Sequence, residues 1–192
     1  IIPRNHRVEE ALAAASPERD FGPRSPDDHY ILYTGGTTGM PKGVVWRHED
    51  VFMALGGGID PMTKVKATRP EEIIAKAYPD PITFFPIAPL MHGATQWGLM
   101  SQAMTGNRVV LVANFDAEEC WELIQREGVN SMMITGDAMA RPLIETLQAN
   151  RDRFDVSSLF SLSSSAAVFA PAVKDQFVEV FPDLILTDAI GA

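Results

Sequence analysis

The densest grouping of chemically capable residues is Tyr33-Thr34-Gly35-Gly36-Thr37-Thr38-Gly39-Met40-Pro41-Lys42-Gly43. Glycines let the main chain approach a ligand closely, threonine hydroxyls donate hydrogen bonds, and the lysine ammonium is a mobile point charge. A polyphosphate needs several donors and a cation at once, and this stretch supplies both. It is not a Walker A loop, which places glycine directly before lysine and serine or threonine directly after it. Here Pro41 precedes Lys42 and Gly43 follows. The spacing of a dinucleotide-binding fingerprint is also absent. The alternative is an ordinary glycine- and threonine-rich turn.

Three further stretches carry groups suited to a ligand. His92 lies in Pro86-Ile87-Ala88-Pro89-Leu90-Met91-His92-Gly93-Ala94, just before a predicted helix on which Gln96, Trp97 and Met100 share one face. That mixed polar and apolar face suits a fatty or ring-containing acid, and core packing accounts for it equally well. Ser163-Ser164-Ser165-Ala166-Ala167 is a run of small residues that leaves room for a flat base to reach the backbone; helix or turn capping is the competing role. Asp188, in Thr187-Asp188-Ala189-Ile190-Gly191-Ala192, can cap a turn or a helix.

The stretch 33–43 closely resembles the phosphate-loop signature of the adenylate-forming superfamily, which includes acyl-CoA synthetases, firefly luciferase and peptide-synthetase adenylation domains. Thr34, Gly35, Thr37, Thr38, Gly39 and Lys42 match the pattern, and Gly36 stands where serine is frequent. The resemblance implies that this loop embraces the β- and γ-phosphates of ATP, with Lys42 a catalytic group. It implies that His92 is a second catalytic group near the adenylate and acyl pocket, orienting the reacting carboxylate or gating its tunnel, with Trp97 beside it on the acid side, and that Ser164, Ser165, Ala166 and Asp188 border the nucleotide. The implied reaction joins a carboxylic acid, fatty or sterol-derived, to coenzyme A through acyl-AMP, with ATP and Mg²⁺. An amino-acid adenylating enzyme and a non-catalytic nucleotide- or acyl-binding module are the alternatives. The glutamate that helps hold Mg²⁺ in the family is expected after Ala192, and no metal ligand is assigned within the chain. The expectation is therefore an internal piece of a larger enzyme, inactive alone, whose missing partners are the rest of the large domain and a mobile carboxyl-terminal domain.

These groups need a scaffold. Tyr30-Ile31-Leu32-Tyr33-Thr34 and Val44-Val45-Trp46 read as strands flanking the loop, with a helix over 48–55 ended by Gly56-Gly57-Gly58. Residues 60–81 read as a surface excursion with a helical turn at 70–77. From Ile82 strands and helices alternate: strands at 83–85, 108–112, 131–134, 159–162 and 184–186, and helices from Gly93 and over 116–127, 138–149 and 170–181. Asp116 and Asp137 are placed to cap the second and third of those helices. Such alternation predicts an α/β fold of three layers, a mostly parallel sheet with flanking helices, forming part of a larger adenylate-binding domain. Residues 1–28 are expected to be a connector with a short helix, and 29–192 a partial AMP-binding domain.

Composition sets outer bounds. The 192 residues hold 16 Lys and Arg against 25 Asp and Glu, a net charge of −9 that opposes binding to a nucleic-acid backbone. Cys120 is the single cysteine, so neither an internal disulfide nor a CxxC metal site can form. No apolar run reaches the roughly 20 residues of a membrane span. A cytoplasmic location is expected, with a membrane-peripheral one and homo-oligomerisation left open.

Overall fold

A short helix, α1 (Val8–Ala14), precedes a hairpin of β1 (His29–Thr34) and β2 (Lys42–Arg47). In this computed structural model the described residues are 8–18, 21–34, 40–56, 58–59, 63–75 and 80–189. The hairpin is antiparallel, and its register pairs His29 with Arg47, Tyr30 with Trp46, Leu32 with Val44 and Thr34 with Lys42. Alternation along the strands divides the side chains between two faces, and Ile31, Tyr33 and Val45 are exposed on one of them. Helix α2 (His48–Leu55) follows without a break, with Glu49 and Asp50 in its first turn, where carboxylates complement the positive end of the helix dipole.

The excursion after α2 is more than a solvent-facing loop. Ile59 and Lys66 form an antiparallel bridge, and Ala67 and Ile73 are buried, the latter on α3 (Pro70–Ile74). Proline at the first helical position fits this start, because the missing N–H has no intrahelical partner there anyway.

From Thr83 the chain builds a parallel sheet in the order β4-β3-β5-β6-β7. The elements are β3 (Thr83–Pro86), α4 (Gly93–Met104), β4 (Arg108–Val109), α5 (Ala117–Glu127), β5 (Ser131–Ile134), α6 (Gly136–Ala149), β6 (Ser161–Ser165), α7 (Pro171–Val180) and β7 (Ile185–Ala189). The chain steps outward from β3 to β4, then crosses to the other side of β3 and advances through β5, β6 and β7. Right-handed crossovers then place α4 on one face and α5, α6 and α7 on the other. Packing agrees: Phe85, Met132, Ile134 and Leu162 join Trp121, Ile124, Leu143, Ile144, Val173 and Phe177 in one core. Phe84 points the opposite way, and a Cβ at Gly98 of α4 would sit 3.3 Å from both Phe84 Cζ and Met133 Sδ. Each fully buried large side chain contributes about 1.5–3 kcal/mol relative to exposure. The Trp121 indole avoids a polar penalty by donating to Leu143 O at 2.8 Å.

Asn130 ties the amino ends of the strands together. Its Oδ1 accepts from Thr83 N at 2.9 Å and its Nδ2 donates to Ser158 O at 3.1 Å. The carboxyl ends are thereby left to the loops that lead into α4, α6 and α7. In open α/β sheets ligands gather at those ends, where strand order reverses, here between β3 and β5.

Several expected boundaries move. β4 has two residues in place of the five over 108–112, and β6 spans 161–165 in place of 159–162. Serine favours turns in isolation, but parallel partners flank β6 on both sides: Ser164 pairs with Ile134 and with Asp188, and Ser165 with Ala189. The expected small-residue loop therefore begins only at Ala166. Asp116 caps α5 as expected, accepting from Glu119 N at 2.9 Å. Asp137 does not cap α6, because it lies within the first turn and its carboxylate reaches another loop. No helix among the described residues is long and apolar enough to cross a membrane.

Candidate active site

The hairpin presents its Tyr30, Leu32 and Trp46 side to the first turns of α4. Tyr30 donates its hydroxyl hydrogen to Gln96 Oε1 at 2.5 Å, and the Trp46 and Trp97 rings meet edge to face with centroids 5.3 Å apart. Any Cβ at Gly93 would collide with Leu32 Cδ2, so glycine at the helix start permits this close approach. Lys42 pairs with Thr34 at the base of the loop, and the same hairpin rests on the helix that starts after His92. The hairpin that ends at Thr34 and resumes at Lys42 is thus packed as one unit with the helix that follows His92.

His92 is the residue immediately before α4, and its side chain makes no capping bond. The main chain there is fully used: His92 N donates to Pro89 O at 2.9 Å, and His92 O accepts from Gln96 N at 3.1 Å. In contrast, His92 Nδ1, Thr95 Oγ1 and Trp97 Nε1 are buried without a hydrogen-bond partner. An unmet buried polar group costs about 1–3 kcal/mol. Three such groups lie together at the amino end of α4.

At the carboxyl end of β6 the expected residues separate. Ser164 is buried, and its hydroxyl accepts from Gly136 N at 3.0 Å, so it shapes the neighbouring turn. Ser165 is half-buried; Ala166 is exposed and sits at φ 70°, a left-handed conformation that disfavours any side chain. Asp188, one strand over, receives an ion pair from Lys174 Nζ at 2.7 Å, and that ammonium also lies 5.2 Å from the Phe169 ring centre. Gly136 and Asp137 are additions that sequence reasoning did not assign to the site. The signal for them was a glycine between a strand and a helix, where a positive φ is frequent.

Of the residues expected to form a phosphate loop, Gly35, Gly36, Thr37, Thr38 and Gly39 lie outside the described residues, as does the Thr34 side chain. So do Ile190, Gly191 and Ala192. A depression of about 510 Å³, lined in part by Phe154, Asp155, Phe160, Phe181 and Asp183, opens at the amino ends of β6 and β7. It lies at the opposite end of the sheet, and its two carboxylates would repel a polyphosphate.

The sequence matches the AMP-binding enzyme family over residues 3–191. This chain belongs to that family. Among similar proteins, 3-oxocholest-4-en-26-oate–CoA ligase of Rhodococcus rhodochrous is 46% identical over 189 residues, covering 96% of this chain and 34% of the relative. The medium/long-chain-fatty-acid–CoA/3-oxocholest-4-en-26-oate–CoA ligase of Mycobacterium tuberculosis (strain ATCC 25618 / H37Rv) is 48% identical over 184 residues, covering 95% of this chain and 33% of that protein. The chain thus spans about a third of the length of these relatives. The N-terminal domain of FACL13 from Mycobacterium tuberculosis superposes with a TM-score of 0.70 at 19% identity, over 96% of this chain and 42% of that one. At that identity the likeness is one of fold. The Tyr30, Leu32 and Trp46 contacts fix the hairpin of β1 and β2 against the amino end of α4.

Proposed function

We propose that the protein containing this chain is an ATP-dependent acid–thiol ligase that activates a carboxylic acid as acyl-AMP and passes the acyl group to coenzyme A. The observation that carries this reading is the packing of the Lys42 hairpin against the helix headed by His92, within a chain of the AMP-binding family. ATP and coenzyme A are substrates. In the first step a carboxylate oxygen attacks the α-phosphorus, the bond to the bridging oxygen breaks, and pyrophosphate departs. In the second the thiol sulfur attacks the acyl carbonyl, losing its proton, and AMP leaves with the electron pair of the broken C–O bond.

Lys42 and the donors of residues 34–39 neutralise charge that grows on the departing pyrophosphate. Unmet His92 Nδ1 takes a hydrogen bond from, or gives one to, the acid or its adenylate, and Trp97 borders the acid. Exposed Ala166 with Ser165 forms an edge against the nucleotide base, while Ser164 and the Lys174-paired Asp188 hold that edge from behind. The relatives named above act on sterol-derived or fatty acids, and we assign this protein the same broad class. Magnesium would accompany the nucleotide phosphates and lower their charge. Among the described residues no group of three or more His, Cys, Asp or Glu is placed to hold a metal. The remaining two thirds of such a polypeptide complete the large domain around residues 29–192 and supply the second-step domain. A cytoplasmic or membrane-peripheral location fits this substrate class.

The test is product analysis of the full-length protein with MgATP, coenzyme A and a panel of fatty and sterol-derived acids. AMP, pyrophosphate and acyl-CoA should form in equal amounts and only with an acid present. ADP in place of AMP, or nucleotide binding with no acid-dependent turnover, would sink the reading.

A further inference from the structure

The loop between β6 and α7 is held by groups from a different helix. Gly136 N donates to Ser164 Oγ at 3.0 Å, and Asp137 N donates to Val168 O at 2.9 Å. Asp137 Oδ1 accepts from Ala170 N at 2.8 Å, while Arg141 holds Oδ2 at 3.0 Å. Ala170 is the residue that caps the start of α7, and its own side chain cannot accept a hydrogen bond. In a capping box that N–H is met by a carboxylate three residues along the same helix. Here the carboxylate arrives from α6.

Gly136 completes the clamp, because at φ 55° it brings its backbone against the loop so closely that a Cβ would strike Val168 O and Ala167. The loop is therefore pinned at the Ser164 side chain and at the main chain of Val168 and Ala170, while the side chains of Ala166, Ala167 and Val168 are exposed. Ala166 is held in a left-handed conformation that a free loop of L-residues would relax.

We propose that Asp137 is a positioning residue for nucleotide recognition: from the first turn of α6 it fixes the β6–α7 loop so that residues 165–167 present a rigid edge to the nucleotide base. This rests on the ligase reading, in which that edge faces ATP. A backbone edge distinguishes one base from another only if its donors and acceptors stay put, and a loop free to move loses affinity and selectivity together. Asp137 itself touches no substrate.

The experiment compares full-length protein with Asp137→Ala, Asp137→Asn and Arg141→Ala, measuring acid-dependent AMP or GMP formation with ATP and with GTP as alternative nucleotides. For Asp137→Ala the KM for ATP should rise about tenfold, the loss expected for a charge-assisted hydrogen bond, and the ATP-over-GTP ratio of kcat/KM should fall. The KM for the acid and the kcat at saturating ATP should stay within about twofold. Asp137→Asn keeps the Oδ1 acceptor and should restore the ATP KM. Arg141→Ala frees the carboxylate without removing it and should shift KM and selectivity in the same direction by a smaller factor, which keeps the test decisive if Asp137→Ala does not fold. A merely structural role would lower kcat with both nucleotides in parallel, and Lys42→Ala should weaken both equally because it meets phosphates. Unchanged ATP KM and selectivity in Arg141→Ala and in folded Asp137→Ala, or an Asparagine variant as impaired as the alanine one, overturns the inference. Failure of the unsubstituted protein to form AMP overturns the ligase reading and the inference with it.

Discussion

Replacing Gly136 by alanine measures how tightly α6 is seated on the β6–α7 loop, and Gly128 supplies an internal control. Both glycines have positive φ, 55° and 59°, so alanine at either suffers the left-handed strain of about 1–2 kcal/mol. Around Gly128, the glycine that ends α5, nothing lies within 4 Å of the added methyl. At Gly136 the methyl would strike Val168 O and lie 2.8 Å from Ala167 Cβ and 3.0 Å from Ala167 C. A carbonyl and a main-chain carbon cannot swing aside as a side-chain tip can. Overpacking of this kind costs about 1–3 kcal/mol, and the immobile neighbours favour the upper half of that range. Gly128→Ala is therefore expected to lose about 1–2 kcal/mol and Gly136→Ala about 3–5 kcal/mol, with the difference of about 2–3 kcal/mol reporting the collision alone. Urea unfolding followed by circular dichroism gives both values, provided the m-values match that of the unsubstituted protein. Equal losses at the two positions would refute the argument that Gly136 is required by contact with the loop.

Ala166→Gly should stabilise the same protein by about 0.5–1 kcal/mol, because relief of left-handed strain outweighs the extra freedom glycine gains when unfolded; a loss of stability in urea would contradict the φ of 70°. Cys120 is fully buried, and burial pushes its thiol up from 9.0 to about 12. A raised folded value leaves its contribution intact below pH 9 and removes it as pH climbs from about 9 toward about 12, so native-state alkylation should stay negligible at pH 8 while urea-unfolded protein reacts readily; rapid native labelling at pH 8 would contradict the burial.

Much of the scaffold could be read from local pattern. Residues 48–55 have a helix stop at Gly56, 131–134 form a short β-rich run, and Asp116 stands before an amphipathic stretch; each element formed where composition placed it. Residues whose fate depends on distant partners were harder to read. Ser163, Ser164 and Ser165 carry no strand preference of their own and become strand because β5 and β7 lie on either side. Asp137 has the local look of a helix cap, but Ala170, 33 residues away, captures its carboxylate. The excursion over 60–81 looked solvated by charge, yet Ala67 and Ile73 are buried. In the candidate site, the glycine–threonine–lysine run stands out because its groups are contiguous in sequence, and residues 35–39 of it lie outside the described residues. The clamp on the β6–α7 loop does not stand out, because it assembles only in three dimensions.

The central claim is that Lys42 acts on the departing pyrophosphate during acyl-adenylate formation. Exchange of labelled pyrophosphate into ATP, followed in the full-length protein with an acid and without coenzyme A, isolates that step from thioester formation. A charge-assisted contact made mainly in the transition state contributes about 1.5–3 kcal/mol, so Lys42→Ala should slow acid-dependent exchange by about tenfold to about 150-fold. Transfer of pre-formed acyl-AMP to coenzyme A by the same variant should stay within about twofold of the unsubstituted rate. Exchange that needs no acid, or a folded Lys42→Ala protein that exchanges as fast as the unsubstituted one, would contradict the account.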